Sequence, residues 1–183
     1  LAGIDTSPTS GIGFSGQAKL SVDTITLNSV GTTYLPGDII ILNGGTGTPA
    51  RYEVLSTATS PGAVVTFKQL SSGNYTSIPG STGVTTTTDS AFGAGATFDV
   101  TYKVTNVDVL AGGSGYSLVS VRITGGGGSG AFGIATVVGG AITKIEITDP
   151  GSGFTSNPTV VADLPRFLLK TEGNRTDFTG DVL

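Results

Sequence analysis

The chain has 183 residues, a net charge of −4, and no cysteine, histidine, methionine or tryptophan. This inventory removes thiolate nucleophiles, histidine-dependent triads and zinc sites of the Cys/His type. Nine Lys and Arg against thirteen Asp and Glu offer no basic patch for nucleic acid, and no apolar run approaches the roughly 20 residues of a membrane-spanning helix.

Thirty glycines and abundant Thr and Ser stand where charges usually do: charged residues are 12% of the chain, about half the usual share. The 37% hydrophobic content argues for a packed core and against disorder. The apolar residues are largely Val and Ile, with scattered Phe and Tyr, which suits pleated surfaces. No basic start followed by an apolar stretch marks a signal peptide, and the chain opens on Leu1 rather than Met, so a processed chain or a fragment is expected.

In chain order, the first patterned segment begins at Gly11-Ile12-Gly13. It continues through Ala18, Leu20, Val22, Ile25 and Leu27 to Gly31 and Tyr34, and ends in the short run Asp38-Ile39-Ile40-Ile41-Leu42. A second segment begins at Gly45-Thr46-Gly47, turns at Pro61-Gly62-Ala63, reaches Tyr75 and leaves through Thr76-Ser77-Ile78-Pro79. A third begins at Gly93-Ala94-Gly95, alternates through Phe98, Val100, Tyr102 and Val104, and reaches Tyr116. A fourth begins at Gly128-Ser129-Gly130 and turns at Gly139-Gly140. It alternates again through Ile145 and Ile147, reaches Phe154 and leaves through Thr155-Ser156-Asn157-Pro158. The four closing aromatics lie 41, 41 and 38 residues apart.

This is an internal duplication of A-B-A-B form. Segments one and three align without a gap at an offset of 82: Gly11 meets Gly93, Leu20 meets Tyr102, Ile25 meets Val107 and Tyr34 meets Tyr116. Carried onward, the same offset sets Ile39 and Ile41 against Val121 and Ile123. The expected organisation is a first β super-repeat at 1–92, with an N-terminal arm at 1–10, and a second at 93–165. A C-terminal connector or arm at 166–183 holds six charges: Arg166, Lys170, Glu172, Arg175, Asp177 and Asp181. Only Phe167-Leu168-Leu169-Lys170 suggests a turn of helix.

Period-two alternation argues for half-buried strands, and Gly139-Gly140 between two such runs predicts a tight hairpin turn, whose positive φ angles glycine reaches without steric cost. The expected fold class is therefore all-β, with tandem antiparallel β-sandwich or hairpin modules; a β-solenoid or a trimeric β fibre is the alternative. Each closing aromatic is expected to pack over the glycines that precede it.

Several motifs invite a chemical reading. Gly11 to Gly16 and Gly128 to Gly133 both fit G-x-G-x-x-G, but a dinucleotide site needs a strand before it and a helix after it, and here each match opens a strand-like pattern. The run Gly125–Gly128 lacks the Lys-Ser/Thr of a phosphate loop and reads as a flexible turn. Paired carboxylates could serve glycoside hydrolysis, but Asp23, Asp38, Asp99, Asp108, Glu146 and Asp149 are spread along the repeats, several at polar positions of alternating strands. No calcium loop is present. Asn74-Tyr75-Thr76 and Asn174-Arg175-Thr176 match the N-glycosylation triplet. Catalytic residues, cofactor ligands and metal ligands are accordingly expected to number none.

The stretches Gly113-Ser114-Gly115-Tyr116, Gly125 to Ala131, Gly139-Gly140-Ala141-Ile142 and Gly151-Ser152-Gly153-Phe154-Thr155 resemble the glycine-rich repeats of tailed-bacteriophage virion structural proteins. Tyr34 to Ile40 and Gly93 to Val100 resemble neighbouring stretches of such proteins, so the likeness covers roughly residues 20 to 162. Asn74 and the Thr85–Thr88 run depart from it, standing where glycines are expected. The resemblance implies a non-enzymatic part of a virion, in a tail fibre, appendage or capsid decoration. The expected partners are copies of itself, with a trimer typical of the family, and other virion proteins; a host-surface glycan is a candidate ligand. A bacterial extracellular filament subunit or adhesin is the alternative, followed by a carbohydrate-binding module.

Overall fold

The computed structural model describes residues 11–59, 61–90 and 92–163, and within them the chain is all-β. The N-terminal arm at 1–10, the connector at 166–183 and the Phe167–Lys170 turn lie outside the described residues.

Twelve strands follow in order: β1 Ile12–Thr32, β2 Ile39–Leu42, β3 Thr46–Thr48, β4 Arg51–Thr57, β5 Val64–Ser71, β6 Asn74–Ser77, β7 Val84–Thr88, β8 Ala94–Ser114, β9 Ser120–Thr124, β10 Ser129–Val138, β11 Ala141–Ser152 and β12 Thr159–Asp163. They form two open sheets, one of order β3-β6-β1-β8-β7-β2-β4-β5 and one of order β11-β10-β9-β12. Every strand pair is antiparallel, so the β-solenoid alternative, whose rungs stack in parallel, is not this fold.

The duplication is visible in the strands. β1 and β8 are each 21 residues long and begin 82 positions apart. The run β7-β2-β4-β5 has its counterpart, strand for strand, in β12-β9-β10-β11. Gly139 and Gly140 close the β10–β11 hairpin with φ of 58° and 82°, the positive pair that the sequence predicts for a two-residue turn.

At the centre, β1 and β8 pair along their whole lengths, from Ile12↔Ser114 to Thr32↔Ala94. Adding 82 to one partner and subtracting it from the other turns the first of these pairs into the last. The ribbon is therefore related to itself by a two-fold operation. Its four register shifts obey the same rule: the extra residues are Asp23 and Asn28 in β1 and Thr105 and Leu110 in β8, again 82 apart. Each bulge resets the alternation, so Val22 and Ile25, three positions apart, share a face, as do Val104 and Val107.

One core runs through both super-repeats, because β8, the first strand of the second, lies between β1 and β7 of the first. Phe98, Val100, Tyr102 and Val104 of β8 and Ala18, Leu20 and Val22 of β1 are buried along the ribbon.

One expectation is corrected and one is extended. Past Tyr34 the offset slips from 82 to 81: the buried residues of β2 are Ile40 and Leu42, matching buried Val121 and Ile123, while Ile39 and Ile41 face outward, half-buried. The chain between Tyr116 and β9 holds one residue fewer than the chain between Tyr34 and β2. The closing aromatics do cover preceding glycines: Tyr75 covers Gly73, where an added Cβ would lie 2.6 Å from the ring. Phe154 covers the preceding Gly128, where an added Cβ would lie 2.5 Å from the ring. Tyr34 and Tyr116 lie near the preceding Gly31 and Gly113, but they also reach across the two-fold: an added Cβ would meet Tyr34 at Gly93 and Tyr116 at Gly11, each at 2.4 Å. Each super-repeat thus lends its tyrosine to the first glycine of the other.

Candidate assembly surfaces

The glycine motifs are absorbed by this packing. Gly11 leads into β1 and Gly128 into β10, no helix follows either, and both lie beneath aromatic rings. The Gly125–Gly128 run is a defined turn, in which the carbonyl of Gly126 accepts hydrogen bonds from the amides of Thr155 and Ser156 at 2.7 and 3.0 Å.

The carboxylates weighed for catalysis each have a local partner. Asp38 accepts from the Leu35 amide at 2.9 Å, and Asp149 from the Gly151 amide at 2.9 Å. Asp108 faces Lys19 at 2.8 Å, Asp23 faces Lys103 at 3.8 Å, and Glu146 faces Lys144 at 3.9 Å. Asp99 accepts from the Gly83 amide at 2.8 Å and from Asn28 Nδ2 at 2.9 Å, and these bonds hold its carboxyl below the ordinary carboxylate range. Among the described residues no group of three or more Asp or Glu could hold a metal ion. In the glycosylation triplet at 74–76, Asn74 is exposed and the adjoining Tyr75 is core; Asn174 lies outside the described residues.

Buried phenols form the second polar group. Tyr75 Oη accepts from the Ala50 amide at 2.7 Å, and Tyr102 Oη donates to the Gly80 carbonyl at 2.9 Å. Tyr52 Oη is buried without a hydrogen-bond partner. Burial pushes all three phenols above the ordinary tyrosine value, and a charge on Tyr75 would raise Tyr52 further. These groups are enclosed and serve packing.

What remains for contact with other molecules is edges and faces. β3 and β5 end the larger sheet, and β11 and β12 end the smaller. Backbone groups along an unpaired edge are a template for another strand. The faces differ between super-repeats. On the outer face of β4 stand Arg51 and Glu53, paired with Asp89 at 3.8 Å and Lys68 at 2.8 Å. The registers β2–β4 and β9–β10 match Arg51 with Phe132 and Glu53 with Ile134. On β10, then, Phe132, Ile134 and Val138 stand exposed at 48%, 62% and 63%. Sequence reasoning missed this stripe because β10 is apolar on both faces: Ala131, Ala135 and Val137 turn inward between the outward residues.

No family model, curated protein or solved structure matches the chain. Among the described residues no helix is long and apolar enough to cross a membrane.

Proposed function

We propose that the chain is a structural component of a tailed-bacteriophage virion, in a fibre, tail appendage or capsid decoration, and that it acts by assembly and not by catalysis. The observation that carries this reading is the duplicated, open-edged architecture. Two matched sheets are fused through one two-fold ribbon, with strand edges and an apolar face left for neighbours. A low-charge, Gly- and Thr-rich β core suits a rigid part whose work is to hold its shape. The glycine-rich stretches that resemble virion repeats are those that close the turns and seat the aromatics, so the likeness falls on the residues that make the architecture. Neighbours in such a particle are copies of this chain and other virion proteins.

Electron microscopy of the native particle, labelled with an antibody raised against the purified chain, tests the proposal. Label at regular positions on a tail, fibre or capsid is expected. Label confined to cell-surface filaments, or free enzymatic turnover of a glycan by the purified chain, overturns it.

A further inference from the structure

We propose that the Phe92–Gly93 peptide bond, where the first super-repeat passes into the second, is a cleavage site for an endopeptidase that selects an aromatic residue, and that the cut chain stays folded as two pieces held by the ribbon. The inference goes beyond the assembly reading and does not depend on it.

An endopeptidase binds its substrate as an extended strand, so residues already paired in a sheet are withheld from it and exposed residues between strands are offered. Among the described residues two aromatic side chains are exposed, Phe92 at 69% and Phe132 at 48%. Phe132 is paired with Arg122 on one side and Asp149 on the other. Phe92 lies between β7 and β8, in no strand. Hydrolysis there breaks the bond between the Phe92 carbonyl carbon and the Gly93 nitrogen. Water supplies the hydroxyl that makes the Phe92 carboxyl and the proton that makes the Gly93 amine.

The duplication shows why the pieces stay together, because this junction has an unlinked twin. Gly11 opens β1 beneath Tyr116 as Gly93 opens β8 beneath Tyr34, and an added Cβ at either glycine meets the ring. β7 leads into β8 through residues 89–93, whereas β12, the match of β7, ends at Asp163, at the far end of the sequence from β1. A ribbon strand therefore takes this seat with no chain joining it to the strand before, and the link at Gly93 is not what holds β8. What holds it is the pairing with β1 from Ala94 to Ser114, the pairs Val84↔Phe98 and Thr85↔Thr97 with β7, and the shared core.

Side chains fix both ends of the bond. Thr33 is the one non-glycine with positive φ among the described residues, at 61°, and its match Gly115 has 79°. A β-branched residue is strained in that conformation, and here its hydroxyl donates to the Phe92 carbonyl. Thr33 and Phe92 belong to the same piece, so the new carboxylate keeps this donor. Across the cut, Thr88 Oγ1 donates to the Gly93 carbonyl at 3.1 Å and ties the new end of β8 to the first piece.

The test is limited chymotrypsin digestion of the full chain in native buffer, read by mass spectrometry, size-exclusion chromatography and circular dichroism. The first cut within residues 11–163 is expected after Phe92. The piece that begins at Gly93 is identified by its amino terminus, which cuts nearer the C-terminus leave unchanged. The two pieces should elute together where the uncut chain elutes, keep its circular dichroism and part in urea. The urea midpoint of the cut chain should rise more steeply with protein concentration than that of the uncut chain, because refolding then joins two molecules. Phe92→Ala removes the side chain that fills the aromatic pocket of the protease, and the position is exposed, so the variant should fold as wild type. Cutting between its super-repeats should fall at least about tenfold. A first cut at Phe132 in its ladder, or at exposed Leu118 between β8 and β9, overturns Phe92 as the site, as does a chain left whole over 11–163. Pieces that separate in native buffer overturn the ribbon as what holds them.

Discussion

The two super-repeats share a strand order and close their cores in opposite ways. In the first, Tyr52 of β4 stacks on Phe98 of β8 at 6.2 Å, and Phe67 of β5 meets both rings edge-on at 5.7 and 5.1 Å. In the second, the position matching Tyr52 is Gly133, and the ribbon strand facing it is β1, where the position matching Phe98 is Gly16. Among the described residues no pair of rings separates the layers there, and backbone comes close instead. A Cβ on Gly133 would lie 2.9 Å from the Glu146 carbonyl oxygen, and one on Gly112 would lie 2.5 Å from that of Ile142. Phe14, two positions before Gly16, folds its ring back over that glycine. One topology thus accommodates both a ring-filled core and a core closed by the approach of backbone to glycine. The outer faces differ at matched positions: β4 carries the ion-paired Arg51 and Glu53 beside exposed Leu55, and β10 carries exposed Phe132 and Ile134 there.

The largest test of this comparison strikes the contact the halves exchange. Tyr34 is fully buried, its hydroxyl accepts from the Ala96 amide at 3.2 Å, and it covers Gly93 of the other super-repeat. Tyr34→Ala should cost about 3–5 kcal/mol in denaturant unfolding, the range for emptying a buried aromatic site. Tyr116→Ala, at the matched site with 8% exposure, should cost less. Hydrogen exchange should place the damage from Tyr34→Ala at the start of β8 as well as around Tyr34. Protection lost only within the first super-repeat would break the idea of reciprocal exchange.

A smaller effect of opposite sign is expected from the ring-filled half alone. Tyr52 Oη is buried and has no partner. Removing an unsatisfied buried hydroxyl while keeping the ring spares a desolvation cost of about 1–3 kcal/mol. Tyr52→Phe should therefore raise the thermal midpoint. A lowered midpoint would mean that the hydroxyl contributes to the fold through an ordered water, and the two cores would then differ less in polar content than their side chains suggest.

The duplication, the strand alternation and the Gly139-Gly140 hairpin were legible in the sequence, because each rests on local pattern. The partner of β1 was not. A repeat shows that two segments are alike, but like segments can stack in succession or pair across a two-fold, and both arrangements leave the same residues in the same order. The same ambiguity hides the exchange of Tyr34 and Tyr116, since each copy contains both a tyrosine and a first glycine. The step of three from Val22 to Ile25, repeated from Val104 to Val107, was the available sign of a bulged ribbon. The β10 stripe was hidden by apolar residues on both faces, and only the matched positions Arg51 and Glu53 make it stand out.

The smallest effect concerns acid. Asp99 of β8 joins the bulge residue Asn28 of β1 to the Gly83 amide, and its matched position on β1 is Gln17, whose Nε2 donates to the Thr76 carbonyl at 3.3 Å. One half therefore ties the ribbon to its neighbouring loop with an ionisable group, and the other with a neutral amide. The Gly83 amide, then Asn28, lowers the Asp99 carboxyl below its ordinary value. A carboxyl lowered in the folded chain adds stability above the unfolded value, near 4, and loses it as pH falls through the lowered value. Asp99→Asn should remove that dependence: the difference from wild type in urea unfolding should be present at neutral pH and shrink as the solution is acidified below about pH 4. Gln17→Ala, by contrast, should shift stability by the same amount at every pH. A constant offset for Asp99→Asn as well would mean that the two ties act alike, and that the difference in charge between the halves has no consequence at this contact.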